Sequence, residues 1–249
     1  MDSVIFGRDS SACTSDSNQF TMPLSYVESR FPQSCLCSRP AIQSLRKMTS
    51  GKLNKEVTFD SDYYDRFYLN SETRIYDREH QEKLVSAVVS LVEWFGAELS
   101  DVLDIGAGVG WWRDWFAENR PATKYVSTEI DPKICTKFGH IQRDIRTWRA
   151  REKFDLIVCQ GVLPYLADDD CAKAIDNITA MASGFFFLEA ITRKDIATVC
   201  DTSRTDTRVH ARTGKWYRDR LHPNFRLIGA GLYYLRDGEI SFYELEAGD

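Results

Sequence analysis

The sequence lacks most of the features that would announce a specialised class. It has no Cys-x-x-Cys pair and only four histidines, none at ligand spacing with a cysteine pair, so no structural metal is expected. Seven cysteines, at 13, 35, 37, 135, 159, 171 and 200, are odd in number and scattered, which reads as reduced thiols in a cytoplasmic protein rather than a disulfide framework. No apolar run approaches the roughly 18 to 20 residues needed to cross a bilayer, and the N-terminus has no signal-peptide core. There is no excess of positive charge: 32 basic residues against 37 acidic ones leave a net charge of -5. A broad electrostatic attraction to nucleic acid or to an anionic membrane is therefore not expected. Nor is there an internal repeat. What is present is ordinary for a globular protein: 249 residues, 43% hydrophobic and 28% charged, enough to bury a substantial core.

The first 50 residues stand apart, with eleven serines, three of the cysteines and little periodicity. Residues 1–58 read as a weakly ordered tail; a leader, or an ordered protein beginning near Met48, is the other expectation. Residues 59–249 read as a single domain, with an N-terminal lid and helix over 59–98 and a core over 99–249. Leu84, Val88, Leu91, Val92 and Phe95 recur at helical spacing. Short apolar runs follow at 102–105, 125–130, 138–145, 154–160 and 184–191, nearly unalternated, as in strands covered on both faces. Their alternation with helical segments, including one over 170–182, predicts an α/β fold with a parallel sheet. After Phe225 two strand-like runs flank Asp237-Gly238, a hairpin signal. The expectation is a Rossmann-like, seven-stranded, mostly parallel sheet with an antiparallel C-terminal hairpin and helices on both faces.

The stretch "DVLDIGAGVGWW" (101–112) runs a strand into glycines at 106, 108 and 110, then into a helix. That geometry lets a backbone approach a nucleotide-like ligand. A dinucleotide fingerprint would place its third glycine where Trp111 stands. Asp104, two residues before Gly106, is placed to meet a cationic amine. Glu129, at the end of the second strand, can accept hydrogen bonds from two ribose hydroxyls. Asp144 can bind an adenine amino group, and Ile145 can cover its ring. Three carboxylates with no lysine or arginine in the loop suit a ligand with a ribose, an adenine and net positive character, not a pyrophosphate.

In these motifs the chain resembles the class I S-adenosylmethionine-dependent methyltransferases, from about Tyr63 to the C-terminus. "VLDIGAGVG" resembles the family's first motif, Glu129 in "VSTEID" its second-strand acid, and Asp144-Ile145 in "QRDI" its adenine-binding pair. "FDLIVCQGVLPYL" resembles its fourth-strand motif. The resemblance implies S-adenosylmethionine as cofactor, held by Asp104, Gly106, Ala107, Gly108, Glu129, Asp144, Ile145 and Gln160. Tyr64 would join them from a lid formed with Tyr63, Phe67 and Tyr68. One departure is that the short stretch between Glu129 and Phe138 leaves room for only a very short helix, opening the adenine side.

The implied reaction is methyl transfer to an oxygen or nitrogen of a small molecule. A hydroxyl acceptor would call for a base, for which His210 and Tyr165 are the candidates, whereas His140 reads as structural and His222, before Pro223, as a loop residue. The long segment 191–223 carries Arg204, Arg208, Arg212, Lys215, Arg218 and Arg220 and is expected to line or cover the acceptor site. Gln160-Gly161-Val162-Leu163-Pro164 stands where base-modifying relatives carry Asn/Asp-Pro-Pro-aromatic, so a small-molecule acceptor is favoured and nucleic acid and membrane partners are not expected. Protein or RNA methylation is the alternative within the class; a non-catalytic cofactor-binding protein and a nicotinamide-dependent oxidoreductase lie outside it. A monomer or homodimer is expected.

Overall fold

The computed structural model describes residues 57–248. The expected tail falls almost wholly outside the described residues, as do Cys13, Cys35 and Cys37. The described chain opens with a short helix α1 (Ser61–Tyr64) that widens into a π-helical turn, Asp65–Leu69. Next comes α2 (Arg78–Trp94), capped by the Asp77 carboxylate, which accepts from the His80 amide at 2.8 Å. The remaining order is β1 (Asp101–Ile105), α3 (Trp111–Asn119), β2 (Lys124–Glu129), α4 (Pro132–Phe138), β3 (Ile141–Gln142), β4 (Phe154–Gln160), α5 (Asp168–Met181), β5 (Ala182–Glu189), α6 (Arg193–Thr198), α7 (Gly214–Leu221), β6 (Phe225–Gly229) and β7 (Leu232–Leu235).

The seven strands form one sheet in the order β3-β2-β1-β4-β5-β7-β6. The first five are parallel, and β7 runs antiparallel to both β5 and β6. The apolar runs alternate between two cores. Leu103, Ile157, Cys159 and Phe186 face α5 and α7, while Val102, Leu156, Val158, Phe185 and Phe187 face α2 and α3. A strand sandwiched in this way has no solvent side on which to place polar residues, which is why the runs look continuous. The buried stripe of α2 is Val85, Val88, Val89 and Val92; Leu84, Leu91 and Phe95 from the expected stripe flank it, partly buried.

Two expectations require correction. No strand covers 138–145: α4 runs to Phe138, Gly139 ends it with φ 75°, and β3 is two exposed edge residues. The Asp131 carboxylate caps α4 and Pro132 starts it, giving the expected very short crossover helix. The hairpin turn is also misplaced. Strands β6 and β7 meet through Ala230-Gly231, both at positive φ (47° and 83°), as a two-residue turn matching the strand twist requires. Asp237-Gly238 instead folds back over β7, so close that a Cβ on Gly238 would lie 2.3 Å from the Tyr234 hydroxyl oxygen.

Candidate cofactor-binding site

In an open parallel sheet, ligands collect beyond the carboxyl ends of the strands where the strand order reverses. Here that point lies between β1 and β4, and a cleft of about 610 Å³, counting the part open to solvent, lies there. Its floor includes Gly106 and Gln160, its flank Glu129, Asp144 and Ile145, and its wall the rings of Phe59, Tyr63, Tyr64, Tyr68 and Tyr165.

The turn after β1 is pinned from beside it: Gly106 and Ala107 both donate to the Thr128 carbonyl at 2.9 Å. At Gly106 (φ 70°) a Cβ would lie 2.2 Å from Cγ2 of Val162, in the loop after β4, so these two loops pass too closely for any side chain. Behind the turn, buried His140 accepts from or donates to Ser127 Oγ at 2.9 Å and reaches the Gly108 carbonyl at 3.0 Å. A carbonyl can only accept, so Nε2 carries the proton and Nδ1 accepts from the serine. Burial holds its pKa below the usual value, and it is a structural brace.

Glu129 is the best-held acid of the cleft, buried at the end of β2. Its Oε2 accepts from the Tyr64 hydroxyl at 2.9 Å and the Gly108 amide at 3.1 Å, and its Oε1 accepts from the Ile130 amide at 2.6 Å. Burial and the Glu129 charge raise the Tyr64 pKa, so its phenol stays protonated. Asp144 lines the cleft, but Arg146 spans both its oxygens at 2.6–2.9 Å, which holds it below the usual carboxylate range. Ile145 is buried beside it.

Asp104 lies elsewhere. It is 2% exposed and does not line the cleft; its carboxyl points to the α3 side, where the Tyr125 hydroxyl donates to it at 2.9 Å. Burial pushes its pKa up to about 7, opposed by the tyrosine. Ala107 and Gly108 form the turn behind Gly106 and do not line the cleft.

At the end of β4, Gln160 sits in a network that the sequence did not suggest. Its Oε1 accepts from Gln81 Nε2 at 2.7 Å and from the Trp112 indole at 2.8 Å, while its Nε2 donates to Glu189 Oε2 at 2.9 Å. An indole only donates, so it fixes which end of the amide is oxygen. Gln81, Trp112 and Glu189 all belong to the site's support. None of the three carries a sequence pattern that sets it apart; Glu189 is one acid after the apolar run "FFFL".

The acceptor-side candidates separate. Tyr165 lines the cleft, with its hydroxyl 2.8 Å from that of Tyr63 and donating to Asp206 at 3.2 Å. Burial raises its pKa, and Arg208 holds Asp206 ionised. His210 is exposed, its backbone amide bonded to the Pro164 carbonyl, and it does not line the cleft. The basic segment is largely consumed internally: Arg204 reaches the Arg74 carbonyl, Arg208 holds Asp206 and Lys215 pairs with Asp219. Arg212 is 5% exposed and ties the Leu163 and Leu166 carbonyls to Asp168.

Residues 76–230 match the family model described as a methyltransferase domain. No curated protein matches the chain. Among solved structures, the plantazolicin methyltransferase BpumL with a pentazolic desmethylPZN analog and SAH is 12% identical at a TM-score of 0.51, covering 66% of this chain and 67% of that one. The same enzyme with SAH alone is 13% identical at 0.50, covering 57% and 63%. An S-adenosylmethionine-dependent methyltransferase from Clostridium acetobutylicum ATCC 824 is 18% identical at 0.45, covering 55% and 58%. The chain thus spans under two thirds of the length of the first solved structures it matches. At such identities the likeness bears on the fold, a Rossmann-like sheet with an antiparallel C-terminal pair.

Proposed function

Since the chain belongs to the methyltransferase-domain family, we propose that it transfers a methyl group from S-adenosylmethionine to an oxygen or nitrogen of a small-molecule acceptor. The reading rests on Glu129 above all. Its Oε1 takes a single hydrogen bond, which leaves a lone pair toward the cleft for a hydroxyl donor such as a ribose. The Gly108 amide that a pyrophosphate would need already serves Glu129. The residues therefore fit a nucleoside without phosphates and disfavour a nicotinamide dinucleotide.

When bound, S-adenosylmethionine supplies an electrophilic methyl on a positive sulfur. The chain's contribution is holding two molecules in line, an effect that can supply several kcal/mol of the barrier. Gly106 lets the backbone approach, Glu129 anchors the ribose, and Ile145 covers the adenine. The ring faces of Tyr64 and Tyr68 suit a cation, each such contact being worth about 0.5–2 kcal/mol. The lid meets the loop after β4 through the Phe59–Tyr165 ring contact at 4.9 Å and the Tyr63–Tyr165 hydroxyl pair. A cleft walled by rings in this way favours a small acceptor over a polymer. The Tyr165 hydroxyl is placed to accept a hydrogen bond from that acceptor; His210 has no role in this proposal.

Calorimetry with S-adenosylhomocysteine and with NAD tests the first half. Submicromolar to micromolar binding of the former, lost at least tenfold in Glu129→Ala, is expected; tighter binding of the dinucleotide would overturn the reading. Labelled methyl groups from a cell extract should appear in the small-molecule fraction. Their appearance in protein or RNA would replace the acceptor class.

A further inference from the structure

The loop after β4 and the segment between α6 and α7 meet in one polar cluster. The His210 amide donates to the Pro164 carbonyl at 2.8 Å. The next residue of that loop, Tyr165, lines the cleft, and its hydroxyl donates to Asp206 at 3.2 Å. Asp206 is 8% exposed and does not itself line the cleft. Both of its oxygens are fully occupied. Oδ1 accepts from the Arg208 amide at 3.0 Å and from Arg208 Nε at 2.8 Å. Oδ2 accepts from Arg208 Nη2 at 2.9 Å and from Tyr165. Four donors on two oxygens leave no place for a proton, so Asp206 is a carboxylate that can only accept.

The consequence runs back along the hydroxyls. Tyr165 has a single hydrogen, and Asp206 takes it. The 2.8 Å contact between the Tyr165 and Tyr63 hydroxyls can then be made only with Tyr63 as donor. Tyr63 also lines the cleft, and its hydrogen is spent in this contact. Burial raises the pKa of both phenols, so both keep their hydrogens at neutral pH. The Tyr165 oxygen retains one lone pair, and neither hydroxyl has a hydrogen left for a guest. Arg208, the cation beside them, is already paired with Asp206.

We propose that Asp206 is a positioning residue that sets the polarity of this wall: it draws the Tyr165 hydrogen away from the cleft and leaves the Tyr165 oxygen to receive a hydrogen bond from the substrate. The substrate class follows. An alcohol or an amine can donate its O–H or N–H to Tyr165, whereas a carboxylate, which only accepts, meets lone pairs. This deepens the function proposed above, rests on it, and narrows the oxygen substrates to hydroxyls.

The test uses the full chain saturated with S-adenosylhomocysteine and titrated, by ligand-observed NMR, with benzyl alcohol, benzaldehyde and benzoate. The three share a ring; the first can donate a hydrogen bond, and the other two can only accept. The wild type should bind the alcohol about fivefold more tightly than the aldehyde, the worth of one hydrogen bond, and benzoate more weakly still. In Asp206→Asn, Arg208 can only donate and so holds the amide oxygen, turning the amide hydrogens to Tyr165 and releasing the phenol hydrogen. The preference for the alcohol should then vanish or reverse. Tyr165→Phe should erase it as well, and adding Asp206→Asn to that variant should change the ratio no further. A merely structural role for Asp206 would lower the three affinities together and leave their ratio intact. Equal binding of alcohol and aldehyde to the wild type, no binding of the alcohol, or an unchanged ratio in Asp206→Asn overturns the proposal. Should thermal melts show Asp206→Asn unfolded, a preference retained in Tyr165→Phe overturns it alone. Failure of the wild type to bind S-adenosylhomocysteine would instead sink the methyl-transfer reading on which this one stands.

Discussion

Asp104→Asn isolates the cost of a carboxyl sealed inside the sheet. In the folded chain this acid ionises near pH 7, against an ordinary value of 3.8. Between those values the native state holds a proton that the unfolded chain has released, so stability from this residue falls as pH rises from about 4 to 7 and levels off above. At 1.36 kcal/mol per unit, the fall over the whole window is about 4 kcal/mol, and from pH 5 to pH 8 about 3 kcal/mol. Asparagine keeps the shape and an oxygen for the Tyr125 hydroxyl but has nothing to ionise. Its buried amide hydrogens add an offset of about 1–3 kcal/mol that does not depend on pH, so the slope and not the offset is diagnostic. Urea unfolding of both proteins, followed by tryptophan fluorescence at pH 5 and pH 8, measures it. Wild type should lose about 3 kcal/mol more than the variant between the two pH values. Equal losses would refute the burial argument. Because Asp104 does not line the cleft, the variant should also bind S-adenosylhomocysteine within a few-fold of wild type.

Other perturbations have definite outcomes. Gly106→Ala should abolish cofactor binding and destabilise the fold in denaturant titrations, and adding Val162→Ala should recover part of the stability, because Cγ2 of Val162 is the obstructing atom. Ala230→Gly should raise stability by about 1 kcal/mol, since a non-glycine residue at φ 47° is strained; the shift in urea midpoint reads this out, and no gain would mean the turn differs. Arg212→Met should cost about 1–3 kcal/mol for each of the Leu163 and Leu166 carbonyls left without a donor, with little added by the exposed Asp168. Arg212→Lys should recover only part of that in the same assay, having no fork to span three partners. His210→Ala should leave turnover within twofold, its side chain being exposed and outside the cleft; a hundredfold loss would restore it as the base.

The sheet was legible because burial on both faces writes long apolar runs, and the turn after β1 because close backbone approach requires glycine. What escaped was decided by geometry without a residue signature. The Ala230-Gly231 turn lacks the asparagine or aspartate that usually marks its conformation, so Asp237-Gly238 drew attention that its position did not merit. The apolar run at 138–145 holds a strand of only two residues, because Gly139 ends α4 inside it and the chain leaves the sheet edge after Gln142. Asp104 reads as a cofactor ligand by its place before the glycines, but strand alternation puts its side chain with Val102, on the side away from Leu103 and Ile105. Glu189 was passed over because one acid after four apolar residues has no pattern; only the pairing of β5 with β4 sets it beside Gln160.

The indole of Trp112 has a reach longer than its packing suggests. It never meets the cleft, yet its single hydrogen fixes the direction of the Gln160 amide and, through it, the face offered to Glu189. Polarity at the wall is therefore inherited from the hydrophobic interior between α3 and the sheet. A change such as Trp112→Phe would leave the Gln160 amide held by Gln81 and Glu189 alone, loosening the end of β4 without altering any residue that lines the cleft. The cleft can therefore change shape through substitutions that no comparison of cleft-lining residues would detect.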